Sequence, residues 1–269
     1  MALSPDGMGE PPGGFIHPSS LTSPAPSSFS TSTATPSSLP RQRTHPLKPG
    51  SIKETALINH IDKSIMMVNR RHAKKFSSAI GEQDIPAAER GYESFKEVVK
   101  DLEAIIDIVW VSGTPSLQIP YLISLAGLVN SYLPEYPFSP RSTFRLIRKL
   151  DAIFASLITG EDADTGAPIS GFENRRNVVS MTEKVRIKSL AEACRIAVVE
   201  ARDREDSRVT EEEEADGMNV DETGDENEDD EVYGVDSYVD APDRWEMEGA
   251  RVYERTIQLL GDELGKGGL

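Results

Sequence analysis

Residues 92–157 read YESFKEVVKDLEAIIDIVWVSGTPSLQIPYLISLAGLVNSYLPEYPFSPRSTFRLIRKLDAIFASL. Apolar side chains recur in this stretch every three or four residues, which is the period of α-helices that bury one face. Two turns rich in Gly and Pro interrupt the pattern, because Gly ends helices and Pro is tolerated mainly in their first turn. The stretch predicts three helices. The middle one is apolar around most of its circumference, so we expect it to be central, with Leu128 in the core.

Two further apolar stripes with helical spacing flank these helices. Each begins at a Ser-x-x-Glu capping box, at Ser51 and Glu54 and again at Ser180 and Glu183. A last stripe follows Pro242. The sequence therefore predicts an all-α fold, a single helical bundle of five to six helices.

Two segments have compositions that do not favour folding. Half of residues 1–50 are Ser, Thr or Pro, and such a segment buries too little apolar area to offset about 1–2 kcal/mol of backbone entropy per residue. Residues 203–248 hold 21 Asp and Glu against 3 Arg, so the net charge of −16 resides in this segment. The acidity is a property of one linker and gives no information about the surface of the folded domain.

These patterns divide the chain into four parts. We predict a disordered Ser/Thr/Pro-rich tail at residues 1–50, a helical bundle at 51–205, an acidic disordered linker at 206–241 and a C-terminal amphipathic helix at 242–264. No apolar run is long enough to span a membrane, and the N-terminus lacks the layout of a secretory signal. The single cysteine, Cys194, permits no internal disulfide. A soluble intracellular protein is expected.

Residues that could carry chemistry are few and scattered. Of the 4 histidines, His60 and His72 fall on the first helix without a cysteine or carboxylate at metal-binding spacing. Cys194 lies on an apolar stripe, which is typical of a small buried hydrophobic residue. No Gly-rich phosphate-binding loop occurs. We therefore predict a protein that is not an enzyme and has no catalytic residue, cofactor or metal.

A basic patch ends the first helix and is formed by Arg70, Arg71, Lys74 and Lys75. Cations at a helix C-terminus stabilise the helix through its dipole. The same residues are typical of a nuclear import signal or of a phosphate-binding surface. All three interpretations stay open, although direct nucleic-acid binding is the least expected.

Apolar residues also occur within the acidic linker at residues 231–240, which read EVYGVDSYVD. Acidic segments with interspersed aromatic and aliphatic residues are typical of chains that order on binding a basic groove. Tyr233 and Val235 are the predicted contacts. The alternative is that these residues only begin the docking of the last helix.

Four stretches together resemble a known family. They are residues 91–97 (GYESFKE), 105–122 (IIDIVWVSGTPSLQIPYL), 144–151 (FRLIRKLD) and 154–157 (FASL). They look like the fungal family of small dissociable subunits of the general transcription factor TFIIH, known as its subunit 11. The resembling stretches contain no catalytic residue.

The resemblance implies a nuclear protein that associates with the TFIIH core and its XPB-type helicase subunit. It also implies that the protein promotes release of this helicase from the complex during transcription by RNA polymerase II. Factors that bind TFIIH use acidic strings with an aromatic residue and a valine to contact a pleckstrin-homology domain of the complex. By this resemblance Tyr233 and Val235 are expected to contact that domain.

A docking face is expected at the turn between the second and third helices, formed by Trp110, Ser112, Gly113, Thr114 and Gln118. Helix capping alone explains the Gly-Thr-Pro sequence equally well. A rival function is that of a nuclear chromatin or DNA-recombination and repair factor. Such a factor would bind DNA or histones through the basic helix and the acidic linker.

Overall fold

The computed structural model describes residues 37–76, 90–173, 178–215 and 247–266. Within them, six α-helices occur: α1 (Ile52–Ala73), α2 (Phe95–Val111), α3 (Pro115–Tyr132), α4 (Pro140–Thr159), α5 (Met181–Ala215) and α6 (Glu254–Lys266). A 3-10 turn at Leu133–Glu135 follows α3. The β structure in the described ranges is one isolated bridge between Glu161 and Pro168. The prediction of an all-α bundle is confirmed.

The helix ends follow local capping rules. The Ser51 side chain accepts a hydrogen bond from the Glu54 N–H at 3.2 Å. Both halves of the second capping box form, since Ser180 Oγ accepts from the Glu183 N–H and Glu183 Oε2 accepts from the Ser180 N–H, at 3.3 and 2.7 Å. Gly160 ends α4 in the left-handed conformation, with φ of 80°.

The core lies between α2, α3 and α4. Helix α2 packs against α1, α3 and α4, while α5 covers α3, and α6 packs on α4 and α5. The residues between these helices are fully buried, among them Leu102, Ile106, Leu122, Leu125, Leu146 and Leu150. Each such side chain contributes about 1.5–3 kcal/mol through burial. None of the described helices is long and apolar enough to cross a lipid bilayer.

The predicted boundary between the disordered tail and the bundle differs from the structure, because residues 37–50 belong to the segment predicted to be disordered and are folded. Leu39 and Leu47 are buried, and residues 37–50 cover the turn between α2 and α3. The composition of residues 1–50 averages over this part, in which Leu39 joins the hydrophobic core and Leu47 is buried. Residues 1–36 lie outside the described residues.

The predicted boundary between the bundle and the acidic linker also differs from the structure. The helix has 35 residues and continues to Ala215, past the predicted limit of the bundle at residue 205. Among the residues of α5 whose burial is described, the last buried one is Ala201, and Arg and Glu beyond that point have high helix propensity. Helix propensity therefore favours the continuation of α5 past residue 205. Residues 216–246 lie outside the described residues. The predicted C-terminal helix at 242–264 is divided where it is described, because residues 247–250 form one helical turn, residues 251–253 form a turn with Tyr253 at φ of 52°, and α6 begins at Glu254.

Candidate docking surfaces

The turn between α2 and α3 is closed by a network of hydrogen bonds. Trp110, only 1% exposed, donates from Nε1 to the Pro40 carbonyl at 2.9 Å. Gln118 Nε2 donates to the Trp110 carbonyl at 2.8 Å. The Thr114 hydroxyl donates to the Ser112 carbonyl at 3.0 Å. The turn is thus held from within the bundle and from residue 40.

Residues 37–50 form a strap over this turn, and we call this segment the N-terminal strap. The Leu47 N–H donates to Thr114 Oγ1 at 2.9 Å, and the Arg43 N–H donates to the Val111 carbonyl at 3.1 Å. Gly113 has φ of +56°, and a Cβ there would lie 2.9 Å from the Ser170 Cβ. Only glycine fits this position without displacing its neighbours.

The strap buries the residues predicted to form a docking face. Ser112, Thr114 and Gln118 are between 0% and 4% exposed, and Gly113 is buried with them. The expectation of an accessible face at this turn is therefore not met. A partner contact through these residues stays a prediction, and it would require the strap to move. Sequence reading missed the strap because its two buried leucines have no periodic pattern.

Arg71, one of the four basic-patch residues, is a structural clamp between α1 and α2. Its guanidinium donates to Asp101 Oδ2 at 2.6 Å and to Glu97 Oε2 at 3.2 Å. Its Nε donates to the Arg90 carbonyl at 2.9 Å, and the guanidinium carbon lies 4.1 Å from the Tyr92 ring centre. Since its Nε, Nη1 and Nη2 each donate a hydrogen bond and the side chain is 15% exposed, Arg71 is not part of a solvated basic face.

Lys75 and the neighbouring His72 are also held by the fold. Lys75 forms an ion pair with Glu135, and His72 stacks on Tyr132 with ring centres 3.7 Å apart. The His72 Nδ1 lies 2.8 Å from the Tyr136 hydroxyl. Burial lowers the pKa of His72, with Glu135 opposing this effect and Lys75 adding to it. His72 is therefore a packed residue, and its burial disfavours the charged form.

Arg70 and Lys74 are the exposed half of the basic patch. Neither side chain forms an ion pair with any residue that the structure describes. Nuclear import through this patch stays a prediction. DNA binding through this patch, which would require several phosphate contacts, also stays a prediction.

The remaining predicted contacts, Tyr233 and Val235, lie outside the described residues. Cys194 is buried, which raises the pKa of its thiol to about 12. Asp151 caps α6 from α4, because its Oδ1 accepts from the N–H and hydroxyl of Thr256 at 2.9 and 2.6 Å. No group of His, Cys, Asp and Glu in the described ranges is arranged to hold a metal ion.

An apolar outer face on α5 was not found from the sequence. Met181, Val185, Ile196 and Val199 on it are 57%, 51%, 61% and 49% exposed. Steps of 4, 11 and 3 residues bring these positions to one side of the helix. The opposite side packs on the bundle through Ile187, Ala191, Cys194 and Val198. A second set of apolar residues at helical spacing in residues 181–199 could have indicated this face.

Comparison with known proteins identifies the family of this chain. The sequence model of one protein family, described as subunit 11 of the general transcription factor TFIIH, matches residues 91–261. The chain belongs to this family. An uncharacterized protein of Schizosaccharomyces pombe (strain 972) is 25% identical over 148 residues, which cover 53% of this chain and 76% of that protein. No solved structure matches the chain at a significant level.

Membership of the TFIIH subunit 11 family confirms the resemblance read from the sequence and assigns a role in the general transcription machinery. The matched residues run from just before α2 into α6, so they include the outer face of α5. The strap and α1 lie outside them. We therefore expect any surface that members of the TFIIH subunit 11 family share to lie on α2 to α6.

Proposed function

We propose that this protein is a non-enzymatic accessory subunit of TFIIH that docks on the XPB-type helicase subunit in the nucleus. It promotes release of that helicase from the complex during transcription by RNA polymerase II. The observation that supports this proposal is the family match over residues 91–261. Packing accounts for Cys194 and His72, two residues with nucleophilic or ligating chemistry.

The outer face of α5 is the docking surface that we propose for TFIIH. It lies inside the family match, and its four exposed apolar residues, Met181, Val185, Ile196 and Val199, form one stripe, which the ion pair between Lys188 and Glu192 divides into two apolar parts. Burial of such side chains contributes about 1.5–3 kcal/mol each, from which the cost of association is subtracted. Because the buried face of α5 packs on the bundle, the stripe is presented rigidly and loses little entropy on binding.

Release of a helicase needs no bond chemistry. A protein that binds the free helicase more tightly than the assembled one shifts the equilibrium toward the free form. A difference of about 1.4 kcal/mol in binding free energy already changes the ratio tenfold. A rigid apolar face that overlaps the assembly surface of the helicase is sufficient for this effect.

The test uses TFIIH immobilised through a core subunit and the purified full-length chain. The helicase that appears in the supernatant is measured with the parent chain and with Val185→Asp/Ile196→Asp. Both substituted side chains are exposed, so we expect the fold to be retained and release to fall by roughly tenfold or more. The control is Met66→Asp, since Met66 is 58% exposed on α1, outside the family match. Release that is absent with the parent chain, or equal with the α5 variant, contradicts the proposal.

The acidic segment provides a second proposed contact with the same complex. We propose that residues 225–242 bind the pleckstrin-homology domain, with carboxylates steering the encounter and Tyr233 and Val235 supplying affinity. Titration calorimetry of a peptide of this span is expected to give binding on the order of −8 kcal/mol or weaker. Tyr233→Ala should weaken it clearly. Equal binding by both peptides would reduce the segment to a charged spacer.

A further inference from the structure

A groove of about 500 Å³ lies between α1 and α2. Its floor is apolar and consists of Met67, Val68, Ala104, Ile105 and Ile108. Met67 and Ile108 are 42% and 36% exposed, although both are large apolar side chains. The small residues Ser64 and Ala104 line the groove, so a third element can approach both helices closely.

The rims of this groove carry positive charge. Lys63, Arg70 and Lys74 are exposed on α1, four, three and seven residues from Met67, which places all of them on its side of the helix. Lys100 lines the groove from α2. These four side chains form no ion pair with any residue in the described ranges.

The carboxylates at the groove do not cancel this charge. Glu97 and Asp101 line one end, and both accept hydrogen bonds from the Arg71 guanidinium. Arg71 offsets one of these two carboxylates, which leaves one negative charge at that end, whereas the four cations along the rims pair with none of the described carboxylates. An apolar floor with cationic rims is complementary to a ligand that is apolar on one face and acidic on the other.

We propose that the groove between α1 and α2 binds an acidic amphipathic helix of a partner protein. The groove extends along α1 from His60 to Arg71, which is about 16 Å or three helical turns. A helix with apolar anchors at positions i, i+4 and i+7 fits this length. Met67 can adapt its unbranched side chain to different anchors. The carboxylates of the partner lie over Lys63, Arg70 and Lys100.

This proposal does not rest on the proposed role in helicase release. One wall of the groove is α1, which lies outside the residues matched by the family. The outer face of α5 belongs to a separate helix within the match. Variants of the two surfaces therefore report on two different proposals.

The test measures the fluorescence anisotropy of a labelled synthetic helix in the presence of the full-length chain. The probe is a peptide of about 18 residues, or five turns, with Leu on one face and Glu on the others. A scrambled peptide of equal composition removes the apolar face. A third peptide with Lys in place of Glu reverses the charge. We expect the acidic amphipathic peptide to bind with a Kd in the micromolar range, and the other two to bind at least roughly tenfold more weakly.

Two groups of variants locate the binding site. Met67→Asp/Ile108→Asp places carboxylates on the groove floor and should weaken binding by at least roughly tenfold. Lys63→Glu/Lys100→Glu should weaken it less and should remove most of its salt dependence. The matched control is Val185→Asp/Ile196→Asp on the outer face of α5, which should bind like the parent. Helical circular dichroism and melting temperature are recorded for each variant, so that a loss of fold is not counted as a loss of binding.

Several results would overturn the proposal. They are no binding of the acidic amphipathic peptide, equal binding of the scrambled or basic peptide, or equal losses in the groove and α5 variants. Sedimentation of the full-length chain tests a different occupant. A dimer that becomes a monomer in Met67→Asp/Ile108→Asp would assign the groove to a second copy of the chain.

Discussion

At the scale of the residue, Arg71 shows how a charged side chain in a basic cluster becomes part of the core architecture. Its side chain is 15% exposed, while those of Glu97 and Asp101 are 40% and 36% exposed. Asp101 also accepts a hydrogen bond from the Tyr92 hydroxyl at 2.7 Å. Arg71 therefore links α1, the chain before α2 and α2 itself.

We expect Arg71→Gln to lower the free energy of unfolding by about 1–3 kcal/mol, because it removes charge-assisted hydrogen bonds and leaves two carboxylates without their cation. The partial exposure of these carboxylates keeps the loss below that of a buried pair. Arg70→Gln is the matched control and should change stability by about 0.5 kcal/mol or less. Urea denaturation measures both. Equal effects of the two substitutions would contradict the clamp.

His72 gives the fold a pH dependence. Burial lowers the pKa of His72 in the folded protein, so the unfolded chain binds a proton at a higher pH than the folded chain does. Stability is therefore expected to decline as the pH falls below the ordinary histidine pKa of about 6.5, and the decline ends below the folded pKa. His72→Gln should flatten this part of the curve.

Thermal melting between about pH 7 and pH 5 measures this decline, because the ordinary Glu pKa lies lower, near 4.3. Lys75 lowers the pKa of Glu135 by its hydrogen bond, and this group adds a further loss of stability only at more acidic pH. His60, which is exposed on the same helix, supplies the control substitution His60→Gln. A variant of His72 that keeps the full decline would assign it to another group.

At the scale of the element, α3 is apolar on nearly every side, yet its residues are not equally buried. Leu125 is 0% exposed, whereas Leu128 is only partly buried against the core. The expectation that Leu128 is a core residue is therefore met only in part. The helix is enclosed by α2 and α5, and these neighbours select the faces that are closed to solvent.

Leu125→Ala is expected to cost about 2–5 kcal/mol, since it removes apolar contacts and leaves a cavity in a closed site. Leu128→Ala should cost less, because its surroundings already include solvent. Both variants keep the helix propensity high, so the comparison isolates packing. Thermal unfolding followed by circular dichroism ranks them, and a larger loss for Leu128→Ala would reverse the packing order of α3.

At the scale of the whole molecule, the N-terminal strap joins distant parts of the chain. It bonds to the turn between α2 and α3 and also to the loop after α4, where Ser170 donates its N–H to Gln42 Oε1 at 3.1 Å. The Ser37 hydroxyl donates to Asp162 Oδ2 at 2.7 Å. The strap thus seals Trp110 beneath it.

Leu39→Ala/Leu47→Ala should detach the strap more easily than it unfolds the helices, because the strap holds few buried apolar residues. We expect a red shift of Trp110 fluorescence, measured with Trp245→Phe so that Trp110 is the single tryptophan, and faster tryptic cleavage at Arg41 and Arg43. Ile52→Ala, at a position 89% exposed, is the control. Unchanged emission and cleavage in the double variant would show that other contacts hold the strap.

Helix type, helix order and the capping boxes could be predicted from the sequence, because each depends on residues within a few positions of one another. Periodicity placed the stripes, and Ser51 and Ser180 marked two helix starts. Family membership could also be read from linear motifs. These properties need no knowledge of which helices meet in space.

Only the tertiary structure decided which candidate residues are accessible. Trp110 is closed by Pro40, 70 residues away in the chain, and Arg71 is neutralised by carboxylates 26 and 30 residues away. Periodicity has no information about such distant partners, because burial depends on the contacts that packing brings together. The sequence by itself determined a helical bundle of the TFIIH subunit 11 family. Packing decided that the turn at Trp110 is covered and that the described residues leave the groove between α1 and α2 and the outer face of α5 open.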